Sequence, residues 1–117
     1  RKKDIIISGG ENISSIELED TLFEHDVVSD VAVIPAPDER WGETPKAFVV
    51  PEGGDPNDAG ATPEELKAFV RDRVADYKTP GEVEFVAELP TTATGKIQKY
   101  ELREREWDEE DRMVGEG

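Results

Sequence analysis

An α+β fold is predicted: a small, mainly antiparallel sheet with helices packed on it, preceded by a short β-hairpin. Three features of the 117-residue sequence carry this expectation. Runs rich in β-branched and aliphatic residues recur at 5–7, 31–34, 46–50 and 83–87, with Gly or Pro close by. Two Ser/Thr-x-x-Glu signals, at Ser14 and Thr62, open stretches of helical character. The connection between the runs at 31–34 and 46–50 is short, which favours an antiparallel pair. No internal repeat is visible, and the length fits one domain with one modest core.

Residues 4–8 read as a short strand. Gly9-Gly10 breaks it, because glycine alone accepts positive φ and close backbone approach without penalty. Residues 11–13 resume an extended path, so 4–13 form a hairpin or hooked loop. Ser14 then caps a helix to about Glu24, with Glu17 completing a capping box and Ile16, Leu18, Leu22 and Phe23 on its apolar side. Residues 31–34 form a buried strand, stopped by Pro35-Ala36-Pro37. A polar loop over 38–45 contains Trp41-Gly42, and the strand at 46–50 ends at Pro51. Residues 52–61 are a glycine- and acid-rich loop. Thr62 caps the next helix, with Pro63 at its first position and Glu65 completing a second capping box. Leu66, Phe69, Val70, Val74 and Tyr77 recur at helical spacing, so one face is core as far as Lys78-Thr79-Pro80-Gly81. The strand at 83–87 is followed by a threonine-rich loop and a final amphipathic helix from Gln98 to about Trp107.

Asp and Glu number 29 against 14 Lys and Arg, a net charge of −15. A chain this acidic does not bind nucleic acid through a general basic surface. The apolar residues are clustered and periodic, which favours a folded domain over disorder. Adaptation to high salt, as in a halophile, and an ordinary acidic soluble protein both fit this charge; its spread along the chain favours the former. Cysteine is absent, which excludes a disulfide scaffold, a thiolate metal site and a cysteine nucleophile. The longest aliphatic run in the first half, Ile5-Ile6-Ile7, is far below membrane-spanning length, and no signal peptide is visible. A cytoplasmic location is the default. The chain opens on Arg1 inside a charged run, which reads as a cut through a longer protein.

The stretch Leu89-Pro90-Thr91-Thr92-Ala93-Thr94-Gly95-Lys96-Ile97-Gln98-Lys99 places one lysine on the lip of a mobile, hydroxyl-rich loop. Gly95-Lys96 is not a phosphate-binding P-loop: that motif needs Gly where Pro90 stands and Ser or Thr where Ile97 stands. An isolated lysine here reads as solvated. Gly9-Gly10 alone reads as a tight turn, His25 as a residue at a helix end, and Trp41 as packing. The acids are too many and too evenly spread to nominate a catalytic pair. Composition and spacing alone therefore give a soluble domain with two unusual loops, and no reaction.

Taken together, the two loops carry a resemblance. Arg1-Lys2-Lys3-Asp4-Ile5-Ile6-Ile7-Ser8-Gly9-Gly10-Glu11-Asn12-Ile13, with Glu17-Leu18-Glu19, resembles the late core motif of the acyl-adenylate-forming (AMP-binding) superfamily. That superfamily includes acyl-CoA synthetases, peptide synthetase adenylation domains and luciferases. The stretch from Pro90 to Lys99, with Leu102-Arg103, resembles its last core motif. Pro37-Asp38-Glu39-Arg40-Trp41-Gly42-Glu43 and Tyr77-Lys78-Thr79-Pro80 also fit. The resemblance covers residues 1 to about 105 and is most like acyl-CoA synthetases.

The resemblance implies a C-terminal lid domain over residues 1–107, with an acidic tail at 108–117. Its partner would be its own N-terminal large domain. Such enzymes join a carboxylic acid to the α-phosphate of ATP, releasing diphosphate, and CoA thiol then displaces AMP. The small domain rotates between the two steps. Lys96 matches the lysine needed for adenylation, Arg1 a nucleotide contact, and Lys3 the hinge. Gly9, Gly10 and Glu11 match the loop that enters for thioester formation, where bulk at Gly10 would block the pantetheine path. Arg71 aligns with a CoA-phosphate contact, although a solvated helix face explains it equally. Lys99 stands where relatives often carry Arg, which keeps charge and loses the bidentate fork. The acid pocket, the nucleotide loop and the Mg²⁺ ligands would lie in the large domain, so the isolated chain is expected to be inactive. An adenylation domain loading a carrier protein, and a non-catalytic lid-like module acting in trans, are the alternatives.

Overall fold

The computed structural model describes the backbone of residues 4–116 and the side chains of residues 4–108. A long hairpin organises the fold. Strands β3 (Val28–Asp38) and β4 (Gly42–Pro51) pair antiparallel from Val28↔Pro51 to Asp38↔Gly42. The hairpin β1 (Ile5–Ser8) and β2 (Glu11–Ser14) joins β4 through Ser8↔Gly42, and β5 (Glu82–Phe85) runs parallel to β4. The architecture is α+β with a mainly antiparallel sheet and an N-terminal hairpin, as expected.

Both strands of the long hairpin outrun their sequence signals. Pro35-Ala36-Pro37 does not stop β3. Pro35 faces Pro45, and neither has an N–H to give, so this is necessarily a non-hydrogen-bonded pair. Strand β3 lies at the sheet edge, where outward-facing missing donors cost nothing. The outward Pro35 carbonyl instead accepts a hydrogen bond from Trp107 Nε1 at 3.1 Å. The expected 38–45 loop shrinks to a tight turn. Its Asp38 Oδ1 accepts from the N–H groups of Arg40 and Trp41 at 2.8 and 2.9 Å.

Helices cover both faces of the sheet. On one face, Leu18 and Leu22 of α1 (Ser15–Phe23) and Leu66 and Val70 of α2 (Pro63–Arg71) meet Val31, Val33 and Val49. On the other, Leu102 of α3 (Lys99–Glu116) meets Ala32, Ile34 and Phe48. The strict alternation along β3 sends consecutive residues to opposite cores. The result is three layers, with the sheet in the middle. Ile16 and Phe23, expected on the apolar side of the first helix, are exposed; Ser15 and Thr21 take the inward positions.

The cap at Thr62 is complete, with both reciprocal hydrogen bonds formed. The cap at Ser14 is half formed. Ser14 Oγ accepts from Glu17 N at 3.2 Å, but the Glu17 carboxylate turns to Lys78 Nζ at 2.9 Å. Helix α2 also stops earlier than the periodicity implied. Ala75 turns extended, with φ −60° and ψ 141°, and a 3₁₀ turn follows over Asp76–Lys78. That break swings Tyr77 to the surface, half exposed, while Val74 still packs on the core. Helix α3 continues past Trp107 to Glu116.

Lys46 is the one buried cation among the described residues. Its ammonium meets Glu106, Glu84 and Glu82 at 2.9, 3.1 and 3.2 Å. It thereby ties α3 to the edge where β4 meets β5. Burial alone would lower its pKa. The hydrogen bonds and the charge attraction of Glu106 and Glu84 together outweigh burial and leave it raised above 10.5.

Candidate functional site

The two loops singled out in the sequence sit at opposite ends of β1. Lys96 lies in a turn whose strands are pinned by a Thr91↔Ile97 bridge. Thr92 N donates to Lys96 O at 2.8 Å, Lys96 N donates to Thr92 Oγ1 at 3.1 Å, and Gly95 N donates to Thr92 O at 2.9 Å. The threonine-rich stretch is thus a closed turn with its own hydrogen bonds. Thr92 and Thr94 hydroxyls join at 2.9 Å as well. Among the described residues no carboxylate pairs with the exposed Lys96 ammonium. The turn opens on a groove bordered by Asp4, Ile16, Glu19, Gln98 and Tyr100.

Gly9 and Gly10 make the two-residue turn between β1 and β2, with Ser8 paired to Glu11. Their φ values, +57° and +86°, are those of a type I′ turn. Gly9 N donates to Trp41 O at 3.0 Å. A Cβ on Gly9 would lie 2.7 Å from Trp41 Cε3, so the indole packs on bare backbone. Trp41 packs as expected, yet it stays half exposed, with the Arg40 guanidinium 4.5 Å from its ring centroid. A Cβ on Gly10 would meet nothing within 4 Å. This turn borders a second cleft, shared with Trp41, Asp76, Tyr77 and Thr79, and exposed Glu11 stands on its rim.

Among the described residues none lines both clefts. Asp4 belongs to the Lys96 groove and Ser8 to the Gly9 cleft, and four strand steps of about 3.4 Å set them roughly 14 Å apart. Arg71 reaches neither cleft. Its Nε pairs with Asp76 Oδ1 at 3.2 Å, at the edge of the Gly9 cleft. Arg1 and Lys3 lie outside the described residues.

Sequence reasoning missed one cluster beside Lys96. Lys99 Nζ lies 2.6 Å from Glu19 Oε2, 3.4 Å from Ser15 Oγ and 3.7 Å from Asp4 Oδ1. The pairing crosses 80 residues of sequence and carries no local signature; only the helical register of Ser15 and Glu19 hints at a shared face.

A family profile described as the AMP-binding enzyme C-terminal domain matches residues 17–96. The chain is 51% identical over 106 residues to a long-chain-fatty-acid–CoA ligase of Bacillus subtilis, covering 91% of this chain and 18% of that protein. It is 51% identical over 105 residues to a feruloyl-CoA synthase of Amycolatopsis sp, covering 90% and 21%. A solved Mycobacterium tuberculosis fatty acyl CoA synthetase superposes with a TM-score of 0.81 at 43% identity, covering 90% of this chain and 20% of that one. The chain therefore spans about a fifth of the length of these proteins. The profile runs from within α1 through the sheet hairpin, α2 and β5 to the turn at Lys96, so this chain belongs to the AMP-binding enzyme C-terminal domain family.

Proposed function

We propose that this chain is the mobile C-terminal domain of an ATP-dependent acyl-CoA synthetase, with the lid in residues 1–107 and an acidic tail at 108–117. The observation that carries the reading is the separation of the two clefts to opposite ends of one strand. A rigid body built this way can present Lys96 to a bound substrate in one orientation and the Gly9-Gly10 turn in another. The relatives' names, a fatty-acid CoA ligase and a feruloyl-CoA synthase, support CoA as the acceptor.

In the first step a carboxylate oxygen attacks the α-phosphorus of ATP, and the bond to the leaving diphosphate breaks. Negative charge redistributes among carboxylate, α-phosphate and diphosphate. An unpaired ammonium on a long stem stabilises that redistribution and can withdraw afterwards. In the second step the CoA thiol attacks the acyl carbonyl and AMP leaves. The bare backbone of Gly9 and Gly10, with Glu11 and Arg71 nearby, would border the pantetheine and CoA phosphates. Arg1 is assigned to the nucleotide and Lys3 to the pivot, where backbone dihedrals change between the two orientations. Mg²⁺ accompanying ATP is assigned to the large domain, as is the acid pocket. Two relatives of equal identity carry different acids in their names, so the acid is set outside these residues.

The test uses the full-length enzyme. Lys96→Ala lowers ATP–diphosphate exchange by about 10²–10³-fold, the range for losing one preorganised electrostatic contact. Exchange unaffected by Lys96→Ala would contradict the assignment. Supplying CoA or a phosphopantetheinyl carrier protein identifies the acceptor; turnover with CoA is expected. Diphosphate release by the isolated chain would also count against the reading.

A further inference from the structure

We propose that Lys99 keeps Lys96 available: it engages Glu19 and Asp4, the two carboxylates bordering the Lys96 groove, and so anchors the turn while denying both acids to the Lys96 ammonium. This inference rests on Lys96 acting in adenylation.

Lys99 follows directly on the closure of the Lys96 turn, where Gln98 N donates to Pro90 O at 2.8 Å. Its ammonium is close-paired with Glu19 and lies beside Ser15 and Asp4. Those partners are themselves fixed. Glu19 Oε2 accepts from Val33 N of β3 at 2.9 Å, and Ser15 N and Oγ both donate to the Asp4 carbonyl, at 2.9 and 3.2 Å. One side chain thus ties the turn to α1, to β3 and to Asp4, the residue after the proposed pivot. The turn's internal hydrogen bonds fix its shape; Lys99 fixes its aim. The Glu19 and Lys99 side chains are 13% and 27% exposed, so the pair is shielded in a way a surface ion pair is not.

The electrostatic half of the role follows from the shared groove. Asp4, Glu19, Lys96 and Lys99 all line it. Without the Lys99 charge, two carboxylates would face the path of a polyphosphate and compete for Lys96. With it, both acids are occupied, and among the described residues the Lys96 ammonium stays unpaired.

The full-length enzyme tests this through its two half-reactions. Lys99→Met is expected to lower ATP–diphosphate exchange about 10–100-fold, the scale of a small misplacement of a reacting group. Thioester formation from supplied acyl-adenylate is expected to stay within about twofold, because the Gly9 cleft is not touched. Lys99→Arg retains most of the exchange. Adding Glu19→Gln to Lys99→Met recovers about tenfold by removing the freed charge, a recovery no purely structural role predicts. Equal loss in both half-reactions, or no recovery in the double variant, overturns the proposal. If Lys99→Met does not fold, Lys99→Gln is read by the same criteria. Exchange that depends on Lys96 but not on Lys99 sinks this inference alone; exchange indifferent to Lys96 sinks the functional reading with it.

Discussion

Gly9 lacks a side chain because Trp41 occupies the space, whereas Gly10 faces open solvent and is held only by its positive φ. The two glycines therefore differ in what a side chain would cost. In the purified chain, Gly9→Ala is expected to cost about 2–4 kcal/mol, from left-handed backbone plus overlap with the indole. Gly10→Ala is expected to cost about 1–2 kcal/mol, from backbone alone. Urea unfolding of both variants checks the order; equal losses would mean that the Trp41 contact carries no weight. Lys96 is the complementary case. Among the described residues nothing holds its ammonium, so Lys96→Ala is expected to leave the unfolding midpoint unchanged.

Strands β3 and β4 and helix α3 show what could be read in advance and what could not. The Thr62-Pro63-x-Glu65 cap, the Gly9-Gly10 turn and the apolar strand centres are local signals, and each formed where expected. The extension of β3 through Pro35 and Pro37 was hidden, because a strand tolerates proline only if its missing donors face outward, and the sheet order decides that. The Lys99 cluster and the Lys46 clasp were hidden for the same reason: their partners are distant in sequence. Ile16, Phe23 and Tyr77 misled because exposed apolar residues at near-helical spacing mimic a core stripe. Lys46 offers a test of the clasp between α3 and β5. Its pKa is raised above 10.5 in the folded chain, so its contribution is fully present below that pH and is lost as pH rises through the folded value. Lys46→Met is expected to cost about 1–3 kcal/mol at pH 7. The gap between it and the parent chain stays flat up to about pH 10 and narrows above. A gap independent of pH to the alkaline limit would remove the charge from the explanation.

The whole molecule carries a net charge of −15 on 117 residues. Its repulsion is spread over the surface, while cations such as Lys46 and Lys99 are spent on internal pairs. Raising salt shortens the Debye length from about 10 Å at 0.1 M to about 3 Å at 1 M. The thermal midpoint is expected to rise by about 4 °C or more over that range of sodium chloride, equivalent to roughly 1 kcal/mol. A midpoint that falls would show that internal ion pairs, not surface repulsion, dominate.

The same scaffold is what separates the Lys96 groove from the Gly9 cleft by the length of β1. The decisive measurement is a pair of half-reactions in the full-length enzyme carrying Lys96→Ala or Gly10→Leu. Two distinct faces predict that Lys96→Ala lowers ATP–diphosphate exchange by about 10²–10³-fold yet still converts supplied acyl-adenylate and CoA to thioester. They predict the reverse for Gly10→Leu. Loss of the same half-reaction in both variants would contradict the two-face account.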